Sequence, residues 1–265
     1  VICMPAGAPI SKVEATKNYG AKVVLVPGTY DDAAAEADRL AAPEGYTFAH
    51  PFNDPCVMAG QGTIGLEILE QLPEADQVVV PIGGGGLISG VAYAIKNLKP
   101  SCRVIGVQAA GAASMYTSRQ AGEVLTLPSV ATIADGIAVK RPGDLTFALC
   151  QQYVDDIVTV RDDAIAAAIL ALLEDQKTVA EGAGAVSVAA VMFGKVDLVG
   201  KNTVCVVSGG NVDVTTLSRI ITKGLSKTGR ITEFTVKIAD KPGSLVQLLQ
   251  TISKTGANIL NVNHA

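Results

Sequence analysis

The chain has 265 residues, 49% of them hydrophobic and 17% charged, with a formal net charge of −4. That length holds one large domain or two modest ones with a real core, and so few charges exclude a disordered chain. The absence of a basic cluster argues against nucleic acid or an anionic membrane as partner, and no apolar run approaches the ~20 residues of a membrane span.

Five cysteines, Cys3, Cys56, Cys102, Cys150 and Cys205, are widely spaced, with no C-x-x-C, and sit mostly in apolar runs. That reads as reduced core thiols in a cytoplasmic protein. Only His50 and His264 are available for a histidine-based triad or metal site, and no metal is expected.

Apolar strands and amphipathic helices alternate along the chain. It opens in a strand-like run, Val1-Ile2-Cys3-Met4. Residues 11–19 follow as a helix, with Ser11 and Glu14 spaced as a capping box, and Gly20 ends it. Residues 22–26 read as a strand and 31–42 as a helix with Asp31 and Asp32 at its front. A long helical stretch covers 58–72.

Next comes the most telling segment. The β-branched run from Val78 to Ile82 stops at four consecutive glycines, Gly83 to Gly86, and a helical pattern continues through Val91, Ala92 and Ile95. A strand, a loop without side chains and a helix N-terminus together suit an anion, most often a phosphate. The motif is neither G-x-G-x-x-G nor a nucleotide P-loop, since Leu87 stands where the latter carries lysine. A tight turn without ligand is the other reading of an isolated glycine run.

Residues 102–107 then read as a strand, 162–175 and 184–192 as helices, and 203–207 as an apolar strand closed by Ser208-Gly209-Gly210-Asn211. Continuous apolar strands alternating with helices predict an α/β fold with a parallel sheet covered on both faces. In such sheets ligands sit beyond the carboxyl ends of strands, where both glycine-bearing turns fall. After Arg230 the pattern changes. Residues 231–238 alternate as a half-exposed strand, 240–243 are turn chemistry, 244–254 are helical and 258–262 form a short strand. The Lys/Ser/Gly-rich residues 223–230 read as a linker.

Six segments carry a family resemblance: Met4-Pro5-Ala6-Gly7-Ala8-Pro9 with Ser11-Lys12, residues 59–67, Pro81 to Leu87, Thr132-Ile133-Ala134-Asp135-Gly136, Glu181-Gly182-Ala183-Gly184-Ala185 and Ser208 to Asn211. In this order, over residues 1 to about 220, the chain resembles the threonine (serine) ammonia-lyases. These belong to the pyridoxal-phosphate fold-type II group, with a three-layer parallel-sheet sandwich of the tryptophan synthase β-like type. The resemblance implies pyridoxal 5′-phosphate as cofactor. It implies that the amides of Gly83, Gly84, Gly85, Gly86 and Leu87 hold the phosphate and that Ser208 meets the pyridine nitrogen. A neutral hydroxyl there makes a weaker electron sink than a carboxylate partner, which favours prompt β-elimination.

The implied activity is deamination of L-threonine, with L-serine as a second substrate, to 2-oxobutanoate or pyruvate plus ammonia. A serine racemase or a β-replacement enzyme of the same fold is the alternative. Racemases of this type carry acidic metal ligands after the strand matching 102–107, where this chain has Gln108, Ala112 and Ser114. The family's Schiff-base lysine lies in a Ser-Phe-Lys-x-Arg-Gly-Ala motif upstream of the glycine loop. None of the 14 lysines here stands in that context. The sequence therefore reads as a fragment that is inactive alone, with no catalytic residue of its own. A non-catalytic sensor of amino acids or cofactor is the rival of another class, and the coding frame upstream of Val1 discriminates the two.

Residues 231–265 resemble the first half of an ACT domain, a regulatory βαββαβ module that binds amino acids, on the strength of Asp240-Lys241-Pro242-Gly243-Ser244-Leu245. The expected organisation is 1–50 as the rest of a small cofactor/substrate domain, 51–222 as the large cofactor-binding domain, 223–230 as linker and 231–265 as a partial α+β ACT-like βαβ tail. A small-molecule amino-acid substrate, an amino-acid effector at the tail and a homo-oligomer are the partners the resemblance implies.

Overall fold

A computed structural model describes residues 1–8, 10–28 and 30–263. Of the residues singled out above, Pro9, the side chains of Ser11 and Asp31, and His264 lie outside the described residues. The chain divides into two compact units, Val1–Arg230 and Ile231–Ala265.

The first unit opens with a two-stranded parallel sheet, β1 (Ile2–Pro5) beside β2 (Val23–Val26), with helices α1 (Ile10–Asn18) and α2 (Tyr30–Glu44). Helix α1 ends as expected, because Gly20 takes φ 85° and donates to the Lys17 carbonyl. Helix α3 (Pro55–Gln71) starts earlier than hydrophobic periodicity suggested. The Asp54 carboxylate caps it by accepting from the N–H groups of Cys56 and Val57, and Pro55 sits in the first turn, where a missing N–H costs nothing.

The main sheet is four-stranded and entirely parallel. It consists of β3 (Gln77–Pro81), β4 (Arg103–Ala109), β5 (Asp156–Val160) and β6 (Thr203–Cys205), in the order β5-β4-β3-β6. The chain moves outward from β3 to β5 and then returns to add β6 on the other edge of β3. The strand order thus reverses between β3 and β6, the position where such sheets leave a crevice at their carboxyl ends.

Helices cover both faces, as the unbroken apolar strands require. On one face, Val78, Val80 and Ile82 pack with Ile88, Val91 and Ile95 of α4 (Gly86–Leu98), Ile64 and Ile68 of α3, and Cys150 of α6 (Asp144–Tyr153). On the other, Val79, Ile105 and Val107 pack with Ile165 and Ile169 of α7 (Asp162–Asp175), Val186 and Ala189 of α8 (Gly182–Met192), and Ile220 of α9 (Val214–Lys227). This is the expected three-layer sandwich. Helices α3 and α4 cross at glycines: a Cβ on Gly90 would meet the Met58 carbonyl and stand 2.6 Å from the Gly62 nitrogen.

Three features differ from the sequence expectations. Helices α5 (Ser114–Ala121), α6 and α9 and strand β5 are additional to the elements read from sequence. Residues 223–230, expected as a linker, are instead mostly the last turn of α9, whose Gly224 packs close to Ala166 of α7. Their Lys/Ser content suits an exposed helix face as well as it suits a loop.

The second unit contains α10 (Ser244–Ser253), entered through Gly243 at φ 91°, with Ser244 N–H donating to the Lys241 carbonyl. The 240–243 turn forms as read. Residues 231–238 and 258–262, expected as strands, pair with nothing among the described residues. Alternating sequence alone does not make a strand. Two lone strands are marginal in water without further partners or a packed face.

Candidate active site

The site grows from the carboxyl end of β3. The Ile82 N–H still donates to Val107, and then the chain leaves the sheet as Gly83-Gly84-Gly85 and enters α4 at Gly86. Gly85 is the helix N-cap at φ 101°, ψ −2°, a conformation that disfavours any side chain, and no side chain caps the helix. Among the described residues, the N–H groups of Gly83, Gly84, Gly85, Gly86 and Leu87 donate to no protein acceptor. Five successive unpaired donors at a helix N-terminus, where the helix dipole is positive, are an arrangement that suits an anion.

Packing independently demands these glycines. A Cβ on Gly84 would stand 2.5 Å from the Phe52 ring. On Gly85 it would lie 2.7 Å from Met115 Cε and 2.8 Å from Thr146 Oγ1, and on Gly86 2.8 Å from Phe52 Cβ. Side chains here would collide with the protein itself before reaching any ligand. Phe52 is placed by His50, whose Nδ1 accepts from Phe52 N–H and Asn53 N–H at 3.2 and 2.9 Å and whose ring meets Phe52 edge-on.

The second glycine turn lies alongside. With Gln77 opposite Thr203 and Val79 opposite Cys205, continuation of the register sets Ser208 level with Ile82, one residue before the glycine loop. Ser208 is exposed, and its hydroxyl has no partner among the described residues. The Ser208–Asn211 turn is clamped by the start of α8. Glu181 N–H donates to the Gly209 carbonyl at 3.1 Å, and Gly184 lets the helix approach that same carbonyl.

The Glu181 carboxylate reaches past Gly209 toward residues 132–136. That segment is held by Asp162, which accepts from Thr132 Oγ1 at 2.6 Å and from Ile133 N–H at 3.1 Å. Burial pushes the Glu181 carboxyl above its ordinary pKa, and the negative charge of Asp135 adds to this against the opposing effect of Lys12. Lys12 Nζ stands 3.6 Å from Asp135. Both line a hollow of about 560 Å3 beside Met4, Pro5 and Gly7, and a smaller one shared with Glu181, Asn211 and Asp213. The glycine loop lines neither hollow.

The Ser208–Asn211 turn, Glu181, Asp135 and Lys12 thus come together, and the strand register sets Gly83 at the same end of the sheet. Gln108 is fully buried and its amide is engaged. It accepts from Tyr116 N–H at 2.8 Å and donates to the Ile82 and Ala112 carbonyls at 3.4 and 3.3 Å. No cluster of metal-binding side chains occurs among the described residues. Phe52 and Thr146, which shape the loop from outside, were not identified from sequence. Their contacts span 32 and 62 residues of chain, and no local pattern marks them.

Unpaired amides at a helix N-terminus are the kind of donor set that suits a phosphate monoester. Residues 1–209 match the family model described as pyridoxal-phosphate dependent enzyme. The L-threonine ammonia-lyase of Thermotoga maritima is 52% identical over 263 residues, covering 99% of this chain and 65% of the relative. The chain spans less than two thirds of the length of that relative. Among solved structures, the processed threonine deaminase isoform 2 of Solanum lycopersicum is 40% identical with a TM-score of 0.77, over 83% of this chain and 61% of that one. Maize serine racemase is 39% identical with a TM-score of 0.75, over 85% of this chain and 70% of that one. The match over residues 1–209 and the identity to these relatives show that the chain belongs to the pyridoxal-phosphate dependent enzymes.

Proposed function

We propose that the protein containing this chain is a threonine ammonia-lyase, converting L-threonine, and L-serine as a second substrate, to a 2-oxo acid and ammonia. The observation that carries the reading of the site is the row of unpaired N–H groups from Gly83 to Leu87 beside the unpartnered Ser208 hydroxyl. The choice of reaction rests on the similarity to the Thermotoga enzyme over nearly the whole chain. Pyridoxal phosphate, when bound, supplies the electron sink that stabilises charge at the substrate Cα.

The chain's own residues bind and orient. Gly83 to Leu87 take the phosphate through backbone N–H groups. Ser208 Oγ meets the ring nitrogen as a neutral hydrogen-bond partner. The sheet and α8 hold these two turns at a fixed distance, so that the ring is aligned before substrate arrives. The lysine context expected for covalent attachment is not among the 265 residues, so these residues alone are not expected to turn over threonine. Residues 231–265 we read as part of an ACT-like module answering to an amino-acid effector, and the enzyme as a homo-oligomer.

The test is an assay of the complete gene product with pyridoxal phosphate and L-threonine, following ammonia and 2-oxobutanoate. Equal yields of both are expected. Production of D-serine from L-serine without release of ammonia would replace the reading with a racemase.

A further inference from the structure

We propose that Thr146 is a positioning residue for the phosphate cradle, acting by locking the orientation of the Gly84–Gly85 peptide. This rests on the reading of Gly83 to Leu87 as the phosphate site. Thr146 lies in the first turn of α6, is fully buried, and donates its hydroxyl to the Gly84 carbonyl at 2.6 Å. The Gly143 N–H, at the N-cap of the same helix, donates to that carbonyl at 3.3 Å. No peptide bond among the described residues is cis. In a planar trans peptide the C=O and the following N–H point in opposite directions. Tying the Gly84 oxygen to α6 therefore turns the Gly85 N–H away from α6, leaving it free for an anion.

A glycine loop needs such a lock. Gly84 and Gly85 have access to far more backbone conformations than other residues, and four glycines in a row make the loop's own preference for one peptide orientation weak. A flipped Gly84–Gly85 peptide would present a carbonyl oxygen to the phosphate instead of an N–H. Thr146 is itself held from the far side. Ser89 Oγ of α4 donates to its carbonyl at 3.3 Å, and the neighbouring Leu145 N–H donates to Asn53 Oδ1 at 3.0 Å. Helices α4 and α6 and the segment around residue 53 thus form one frame behind the loop. The cradle's geometry is set by a hydroxyl that never touches the ligand.

The test compares binding of pyridoxal 5′-phosphate with binding of pyridoxal, which lacks the phosphate, in wild type, Thr146→Val, Thr146→Ala and Thr146→Ser. Valine preserves shape and removes the hydroxyl, serine keeps the hydroxyl, and alanine serves where valine does not fold. Valine or alanine should weaken pyridoxal phosphate about fivefold or more, on the order of one hydrogen bond, while pyridoxal affinity changes little. Serine should restore most of the loss. A general packing defect would weaken both ligands together. If valine and alanine keep the wild-type preference for the phosphorylated ligand, or lose affinity for both ligands equally, Thr146 does not position the cradle. If wild type itself shows no preference for pyridoxal phosphate over pyridoxal, the phosphate-site reading fails and this inference falls with it.

Discussion

Glu181 donates its backbone N–H to the Gly209 carbonyl at 3.1 Å, and its carboxylate stands 2.5 Å from where a Cβ on Gly209 would be. One residue thus closes the Ser208–Asn211 turn with its main chain and crowds position 209 with its carboxylate, which a Cβ there would displace. Gly209→Ala should therefore disturb the turn that carries Ser208. Pyridoxal binding should weaken in this variant, and retention of full affinity would show that the carboxylate swings aside freely.

The same carboxyl carries a pH dependence. Burial raises its pKa in the folded state, so the folded protein holds that proton more tightly than the unfolded chain does. The resulting stabilisation is fully present below the ordinary glutamate pKa and is lost as pH rises through the raised value. Glu181→Gln should accordingly be more stable than wild type at pH 7.5, with the gap closing toward about pH 4. Thermal unfolding at both pH values measures this, and an equal shift at each would contradict the burial assignment.

Two glycines on adjoining helices should respond oppositely to alanine. At Gly60, on the exposed side of α3, an added Cβ meets nothing within 4 Å, so alanine should stabilise by about 0.5–1 kcal/mol. At Gly90 the Cβ would press on the backbone at Met58 and Gly62, and forcing α3 from α4 should cost about 1–3 kcal/mol or more. Denaturant titration of the two variants separates them, and similar midpoints would mean that the helices do not meet at Gly90.

The thiols should divide by location. Cys56 is exposed at the start of α3, whereas Cys102 and Cys150 are buried and free, with burial pushing Cys150 up to about 12. Maleimide labelling of the native protein should therefore modify Cys56 and spare Cys150 until unfolding. Rapid modification of Cys150 would show that α6 opens from α4.

Residues 231–238 lack ladder partners among the described residues, while Val78 to Val80 are fully buried between β4 and β6. Amides of 231–238 should exchange with solvent orders of magnitude faster than those of 78–80. Equal protection would mean that the second unit acquires a partner surface in solution.

The architecture was readable because its signals are local. Val78 to Ile82 form a continuous apolar run ending in glycines, and the alternation of such runs with helices marks the parallel sheet. The Ser208 turn was readable for the same reason. The short elements α5 and β5 were not, since Ser114–Ala121 and Asp156–Val160 are too brief for periodicity to stand out. The 231–238 alternation misled because pairing depends on a neighbour that alternation cannot supply. The contacts of Phe52 and Thr146 with the glycine loop are tertiary, and only the fold brings them there.

The most direct test of the phosphate cradle is a titration of 15N-labelled protein with pyridoxal 5′-phosphate, following the backbone amides of residues 83–87. Concerted shifts of Gly83, Gly84, Gly85, Gly86 and Leu87, saturating at one equivalent and much smaller with pyridoxal, are expected. Saturable binding that leaves those five amides unmoved would contradict the assignment of the glycine loop as the phosphate site.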